Sequence, residues 1–183
     1  GRDFAIADLS GRPIDDLAAY RHKLDSSVFK SSMLMRPVFE AARAAPRRIV
    51  FAEGEDERVL RAAQAMVEET SERPILIGRP EVIERRIEKA GLTIKLGETV
   101  DLVNPENDPR YRDYWETYHQ LMARRGVSPD IARAIMRTNT TAIGAVMVHR
   151  EEADSLICGT FGEFRWHLNY VDQVLGRDGR RPH

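Results

Sequence analysis

The chain has 183 residues, of which 42% are hydrophobic and 31% charged, a balance typical of a globular protein with one domain or a domain and an appendage. Its 28 Lys and Arg residues and 29 Asp and Glu residues give a net charge of −1, so no overall field attracts nucleic acid or an anionic membrane. The single cysteine, Cys158, excludes an intrachain disulfide, and the sequence has no signal-peptide pattern and no apolar run of membrane-spanning length. We therefore expect a cytoplasmic protein that binds neither nucleic acid nor a membrane.

The first 46 residues predict a helical linker. Residues 14–29 predict an amphipathic helix, because apolar side chains recur at helical spacing. These side chains are Leu17, Tyr20, Leu24 and Val28. Pro37 suits a first helical turn, and the alanine-rich residues 38–45 predict a second, short helix that ends at Pro46. We assign residues 1–46 to this linker.

Strands and helices alternate after the linker. Residues 49–52 predict a short buried strand, residues 55–70 a helix with one apolar face, and residues 74–78 a second strand. Pro80 suits the first turn of the next helix, and Gly91 suits a left-handed end for it.

The middle of the chain predicts two weaker strands and one long helix. Residues 92–96 and 100–103 are the weaker strands, and residues 109–125 predict a helix that ends at Gly126. One face of this helix carries Tyr111, Trp115, Tyr118 and Met122. We expect that face to pack in the core or at a subunit interface.

The last part of the chain predicts further helices and a final strand. Ser128 is a helix cap before Pro129, and residues 138–141 predict a helix break because their side chains compete for backbone hydrogen bonds. Residues 155–158 predict the last strand, and residues 163–175 predict the last helix.

Strands separated by helices need crossover connections, which favour a parallel sheet with helices on both faces. We therefore predict an α/β fold with a mostly parallel open sheet in residues 47–176, followed by a charged tail at residues 177–183. In open sheets of this kind, ligands bind outside the carboxyl ends of the strands. That rule points to the turns at residues 53–54, 78–79, 104 and 159–160.

The first of these turns is unsuited to a phosphate loop. Four acidic residues cluster at a helix N-terminus, where they would repel a phosphate, and the Gly-Lys-Ser/Thr ending of a phosphate loop is missing. The four acids are Glu53, Glu55, Asp56 and Glu57. We expect them to stabilise the helix, with Arg58 paired to one of them, and we assign no catalytic residue.

Two polar segments are candidates for a ligand site. Residues 137–140 combine a cation with hydroxyl and amide donors at a predicted helix start, which suits an anionic or polyphosphate group, although simple capping is the alternative. Residues 159–162 form a Gly-x-x-Gly turn between a strand and a helix, but the third glycine of a dinucleotide fingerprint is missing. The effector-binding candidates are Arg137, Thr138, Asn139, Thr140, Gly159 and Thr160.

The sequence predicts neither a metal site nor a cysteine nucleophile. The five histidines lie on separate predicted elements without metal-ligand spacing, so we expect surface or packing roles for them. Cys158 ends a strand without an identifiable base beside it, as a small buried thiol would.

Several segments together resemble the phosphotransacetylase family, in the form fused to bacterial malic enzymes. The strand-turn-helix at residues 48–63 and the second strand at residues 73–80 carry the resemblance first. Residues 103–105, 108–114, 137–141, 153–154 and 157–159 then agree with that form in order and spacing. Residues 35–176 resemble the phosphotransacetylase-like domain of hybrid NADP-dependent malic enzymes, and residues 11–45 resemble the helical connection before it.

The resemblance implies a cytoplasmic homo-oligomer that oxidatively decarboxylates malate to pyruvate with NADP and a divalent metal. It implies that the malic catalytic domain lies before Gly1 and that neither cofactor binds to this chain. It also implies that the transacetylase fold, with its Ser, Arg and Asp catalytic set, continues past Gly176. We therefore expect a truncated module that an acetyl-CoA-like effector regulates. Phe161, Phe164 and Trp166 replace the small polar residues that active transacetylases favour, which weakens an acetyl-transfer role.

Three functional hypotheses follow. The first is a regulatory and oligomerisation segment that contributes to an acetyl-CoA effector site and acts on a malic catalytic domain. The second is part of a phosphate acetyltransferase that transfers acetyl between acetyl phosphate and CoA. The third is a dimerisation module without a ligand.

Overall fold

The computed structural model describes residues 35–70 and 72–176. The helix predicted at residues 14–29 and the charged tail predicted at residues 177–183 lie outside the described residues. Contacts divide the chain into one compact unit that ends at Ala45 and a second that begins at Pro46. In the first unit, residues 35–44 are helical and largely exposed, with an ion pair of 2.8 Å between Arg36 and Glu40. The assignment of residues 1–46 as a linker stays a prediction.

A four-stranded parallel sheet lies at the centre of the second unit. Its strands are β1 (Ile49–Phe51), β2 (Ile75–Ile77), β3 (Asp101–Val103) and β4 (Ser155–Ile157), in the spatial order β3-β2-β1-β4. In the register of the sheet, Val50 of β1 lies between Ile75 of β2 and Leu156 of β4. The predicted parallel α/β sheet is therefore confirmed.

Within the described part of the second unit, six α-helices cover this sheet. They are α1 (Glu57–Thr70), α2 (Pro80–Ala90), α3 (Tyr111–Met122), α4 (Pro129–Thr138), α5 (Thr140–His149) and α6 (Phe164–Leu175), and a 3-10 turn, Ala123–Arg125, follows α3. Side chains alternate between the two faces of a strand. Ile75 and Ile77 accordingly join a cluster with α3 to α6, while Leu76 joins a second cluster with α1 and α2. The helices lie on both faces, as predicted.

The strand predicted at residues 92–96 is wrong. Residues 92–95 have no strand pairing, and only an isolated bridge joins Leu96 to Val100. The chain reverses between them at Gly97, whose φ of 77° is left-handed, and the Val100 N–H donates to the Lys95 carbonyl. The apolar side chains of this segment therefore pack against the cluster of α1 and α2 instead of extending the sheet.

The aromatic face of α3 is centred differently from the prediction. Tyr118 and Met122 are buried as expected, but Tyr114 is buried with them, while Tyr111 and Trp115 are only partly buried. The last two rings instead lie under guanidinium groups of α4 at 4.1 and 4.3 Å. The face thus packs in the core and also joins α3 to α4.

The predicted helix break at residues 138–141 lies at one residue. Asn139 is the C-cap of α4 and the N-cap of α5, and its side-chain oxygen accepts a hydrogen bond of 2.9 Å from the Ala142 N–H. Its side chain is buried, so no water can replace that acceptor freely. The cap therefore supports α5, most of whose residues are buried in the core.

We expect Asn139→Ala to lower the free energy of unfolding by about 1.5 kcal/mol, because the buried N–H of Ala142 loses its acceptor. Ser128→Ala is the matched control. Ser128 caps α4 from an exposed position with a longer bond of 3.3 Å, and its loss should cost about 0.5 kcal/mol. Urea unfolding measures both changes, and equal losses would contradict the special role of the buried cap.

Candidate functional site

A cleft of about 400 Å³ lies at the carboxyl ends of the strands. Ala52 and Gly78 directly follow β1 and β2, Pro105 lies just beyond β3, and Thr140 begins α5; all four line the cleft. In an open parallel sheet, this edge is where ligands bind. The turns predicted at residues 53–54, 78–79 and 104 therefore adjoin one concave site.

The acidic residues of the first turn are paired within the protein. Arg79 donates to both carboxylate oxygens of Glu55, at 2.8 and 2.9 Å, and this guanidinium lowers the pKa of Glu55. Arg58 pairs with Asp56 at 2.8 Å, as predicted, and the backbone N–H of Arg58 donates to the same carboxylate. Asp56 thus caps α1, which agrees with the expected role of these acids.

The pairing of Asp56 should appear in the pH dependence of stability. The Arg58 guanidinium lowers the pKa of Asp56 from 3.8 to about 2. A carboxyl whose pKa is lower in the folded state stabilises the fold above its unfolded pKa, and this contribution is lost as the pH falls through the folded pKa. We therefore expect the free energy of unfolding to fall between about pH 4 and pH 2 for this reason.

Asp56→Asn retains a capping oxygen but removes the titration, so its stability should fall less steeply in that window. Denaturant unfolding at a series of pH values measures both slopes. Asp154, whose pKa is also lowered to about 2 by Arg48, adds to the same window, so Asp56→Asn should reduce the slope without abolishing it. Identical slopes for the two proteins would contradict the assignment.

Two cations of the cleft bond to backbone carbonyls instead of carboxylates. Arg86 donates to the Glu55 carbonyl, and Arg137 donates to the Glu106 carbonyl at 2.6 Å. The guanidinium of Arg137 also lies 4.1 Å from the centre of the Tyr111 ring. The hydrogen bonds of these two groups go to neutral carbonyls, but acidic side chains also line the cleft, and the charge of Arg86 helps to lower the pKa of Glu55. An anion in the cleft could pair with these guanidinium groups.

The structure separates the four candidates around the helix break. Arg137 and Thr140 line the cleft. The Thr138 hydroxyl donates to the Ala134 carbonyl of its own helix, and Asn139 is occupied as the buried cap. Of this segment, Arg137 and Thr140 are therefore the residues at the cleft.

The loop at residues 159–162 connects β4 to α6 and lies beside the same cleft. The Gly159 N–H donates to Oε1 of Glu53 at 2.9 Å, and Arg58 donates to the Thr160 carbonyl at 2.8 Å. Oγ1 of Thr160 is buried and has no hydrogen-bond partner within the described part of the chain. Phe161, the next residue, is the loop residue that lines the cleft.

Sequence reasoning missed the buried polar group that supports this loop. Nε2 of His167 lies 2.7 Å from the Phe161 carbonyl, so it donates there, and Nδ1 lies 2.8 Å from the Thr141 hydroxyl. Oε1 of Glu53 is 3.8 Å from the same Nδ1, and both side chains are buried. No spacing in the sequence could have revealed these contacts, because Glu53 and Gly159 are 106 residues apart.

Cys158 is suited to packing more than to nucleophilic attack. Burial is the main cause that raises its pKa, the charge of Glu53 raises it further, and a hydrogen bond with Thr141 opposes both effects. A raised pKa leaves less of the reactive thiolate at neutral pH. Among residues 35–70 and 72–176, no three His, Cys, Asp or Glu side chains form a group that could hold a metal ion. None of the helices described is both long and apolar enough to cross a membrane.

The fold is an α/β domain with a cleft at the carboxyl ends of the strands of a parallel sheet. Residues 33–179 match the family model described as Phosphate acetyl/butaryl transferase, and the chain belongs to this family.

Curated relatives include both malic enzymes and acetyltransferases. The chain is 53% identical over 174 residues to the NAD-dependent malic enzyme of Rhizobium meliloti (strain 1021), covering 94% of this chain and 23% of the relative. It is 50% identical over 169 residues to the NADP-dependent malic enzyme of Salmonella typhimurium, covering 92% and 22%. It is 34% identical over 161 residues to the phosphate acetyltransferase of Synechocystis sp., covering 88% and 23%. The chain thus spans about a quarter of the length of these relatives.

Solved structures agree on the fold. A phosphotransacetylase from Streptococcus pyogenes superimposes with a TM-score of 0.66 at 22% identity, covering 76% of this chain and 42% of that one. The EutD phosphotransacetylase from Staphylococcus aureus gives a TM-score of 0.62 at 23% identity, covering 72% and 39%.

Proposed function

We propose that this chain is a regulatory and oligomerisation segment of an NADP-dependent malic enzyme, which oxidatively decarboxylates malate to pyruvate. Its cleft contributes to the binding site of an acetyl-CoA-like effector. The identity of about half the residues to malic enzymes of Rhizobium meliloti and Salmonella typhimurium supports the parent enzyme. The observation that carries the effector site is a cleft at the carboxyl ends of the strands. It contains two guanidinium groups, of Arg86 and Arg137, whose hydrogen bonds go to neutral carbonyls.

The contents of the cleft favour binding over catalysis. A nucleophile needs a base within hydrogen-bond reach. Thr140 lines the cleft, but the carboxylates of Glu55 and Asp56 are held by arginines. Glu53 accepts from the Gly159 N–H, and Glu106 is the fourth acidic residue of the lining. Both nitrogens of His167 are engaged by Thr141 and by the Phe161 carbonyl. The site is therefore equipped to hold an anion, whereas acetyl transfer would need groups from elsewhere.

The cofactors of malate oxidation belong to another part of the proposed parent enzyme. The described residues do not fit a divalent metal, because they contain no group of three suitable ligands. Residues 159–162 also lack the third glycine of the dinucleotide turn, so they do not form the fingerprint of an NADP-binding domain. Reaction of malate is thus assigned to a separate catalytic domain, which is a partner of this segment.

Exposed apolar side chains support association with that domain or with a second copy. Ile157, Phe164 and Trp166, near the end of β4 and the start of α6, are 46%, 76% and 46% exposed. A group of large apolar side chains at an open sheet edge is typical of an interaction surface. Light scattering of the chain should give a mass above that of one copy if this surface forms homo-oligomers; a monomer at every concentration would remove the homo-oligomer from the proposal.

Titration calorimetry of this chain with acetyl-CoA tests the effector site. We expect saturable binding that weakens as salt is raised, because guanidinium–phosphate attraction is screened. Desulfo-CoA and inorganic phosphate serve as comparison ligands for the thioester and for simple anion binding. Absence of acetyl-CoA binding, together with absence of an effect on the intact malate-oxidising enzyme, would contradict the proposal.

Part of a phosphate acetyltransferase is the second candidate. The 34% identity to the Synechocystis sp. phosphate acetyltransferase, over 88% of this chain, favours it. Formation of acetyl-CoA from acetyl phosphate and CoA measures this activity directly. Turnover by this chain alone would favour the transferase over the regulatory segment, and we expect none.

A further inference from the structure

Phe161 is the one large aromatic side chain of the β4–α6 loop that lines the cleft. It is 63% exposed, although a phenylalanine gains free energy from burial. Phe164 and Trp166 are also exposed, but they are not among the described residues that line the cleft. Of these three exposed aromatic side chains, Phe161 is therefore the one that a ligand in the cleft can contact.

The backbone on both sides of Phe161 is held at three successive residues. Glu53 accepts from the Gly159 N–H, Arg58 donates to the Thr160 carbonyl, and His167 donates to the Phe161 carbonyl itself. These three side chains come from the turn after β1, from α1 and from α6. An aromatic ring on a backbone held in this way can be presented to a ligand at low entropic cost.

The cleft offers two different kinds of contact to one ligand. Arg86 and Arg137 provide guanidinium groups, which bind phosphate oxygens well. Phe161 provides an aromatic face, on which a planar heteroaromatic ring can stack. A ligand that uses both contacts has a flat ring joined to phosphate groups, and the cleft volume of about 400 Å³ lies within the range of small-molecule sites.

We infer that Phe161 is a specificity-determining residue of the effector site, where its ring stacks on the purine base of an anionic nucleotide-type ligand. This inference deepens the proposed effector function and rests on the same cleft. Arg86 and Arg137 attract the phosphates, while Phe161 selects ligands that carry the base. Glu53, Arg58 and His167 are positioning residues, since they act through the loop backbone.

Three probes separate the contributions of the base and the phosphates. Acetyl-CoA contains both a base and an acyl arm, ADP contains the base and phosphates alone, and acetyl-4′-phosphopantetheine has the acyl arm and a phosphate but no base. Calorimetry measures each of them against the wild-type chain, Phe161→Leu, Phe161→Tyr and the control Phe164→Leu. Thermal unfolding of each variant establishes that it is folded.

Phe161→Leu should weaken acetyl-CoA and ADP by about 10-fold or more, which is the usual scale of loss of one base–aromatic stack. Its affinity for acetyl-4′-phosphopantetheine should be unchanged. Phe161→Tyr keeps an aromatic face and should bind all probes as the wild type does. Phe164→Leu should also behave as the wild type, because Phe164 is outside the cleft lining.

Each alternative outcome separates this inference from the proposed function. If acetyl-CoA binds and Phe161→Leu leaves its affinity unchanged, stacking is overturned while the effector site stands. If Phe161→Leu lowers the affinity for all three probes equally, the ring affects the shape of the loop and does not contact the base. That result also overturns stacking. If ADP binds through Phe161 but acetyl-CoA does not bind, stacking is supported and the proposed effector is wrong. If no probe binds to the wild type, both are wrong.

Discussion

Gly54→Ala should lower the free energy of unfolding by about 3 kcal/mol, the upper part of the usual range for overpacking. A Cβ at Gly54 would lie 2.7 Å from the carbonyl oxygen of Ile77 and 2.9 Å from Cβ of Leu76. The Ile77 oxygen belongs to β2, an inner strand of the sheet, and already accepts the Gly54 N–H at 3.0 Å. Relief of the overlap therefore requires movement of a paired strand. Urea unfolding monitored by circular dichroism measures the loss.

Gly126→Ala is the matched control for this prediction. A Cβ at Gly126 meets nothing within 4 Å, but its φ of 86° is left-handed, so the substitution should cost only about 1 kcal/mol. A loss at Gly54 no larger than that at Gly126 would contradict the close approach of β1 and β2. That approach matters for function because it sets the turn that carries Glu53 and Glu55 beside the cleft.

Arg137→Ala should weaken binding of acetyl-CoA by about 10- to 100-fold, which is the scale of one hydrogen bond to a charged group. Arg137 lines the cleft, donates to the neutral Glu106 carbonyl and lies over the Tyr111 ring. These contacts direct its guanidinium while leaving its charge available to an anion. Titration calorimetry measures the affinity, and thermal unfolding establishes that the variant is folded.

Two further variants make this prediction specific. Arg137→Lys keeps the charge but lacks the planar fork of donors, so its affinity should lie between those of the wild type and Arg137→Ala. Arg124→Ala removes an exposed cation that is not part of the described cleft lining, and its affinity should match that of the wild type. Equal weakening by Arg124→Ala and Arg137→Ala would indicate a general charge effect and would contradict a local site.

The order of elements was predictable from the sequence because local signals and tertiary packing agree. Gly91 ends α2 in the left-handed conformation with φ 64°. Ser128 caps the start of α4 with its side chain, and Pro129 occupies the first turn of that helix. The apolar runs of β1 and β2 are buried on both faces, which favours inner strands of a parallel sheet. The wrong strand at residues 92–96 had the apolar pattern of a strand, but the chain reverses at Gly97 and its apolar side chains pack against the cluster of α1 and α2.

The site was predictable only in part, because its contacts join residues that are distant in the sequence. The segment at residues 137–140 was a good candidate by residue type, yet helix geometry turns Thr138 toward its own helix and buries Asn139 as a cap. The support of the β4–α6 loop by Glu53 and His167 depends on the packing of β1, β4 and α6. Periodicity predicts which face of an element is buried, but it does not predict which polar groups meet there.

The most direct test of the proposed function is malate oxidation by the proposed parent enzyme, measured with NADP and a divalent metal while acetyl-CoA is varied. An effector acts only if it binds two states of the enzyme with different affinity, so its effect appears as a change in rate with a defined midpoint. We predict that acetyl-CoA changes the rate of the wild type and that Arg137→Ala moves the midpoint to a concentration about 10-fold higher or more. A rate that acetyl-CoA leaves unchanged in the wild type, under conditions where malate is oxidised, would contradict the regulatory function.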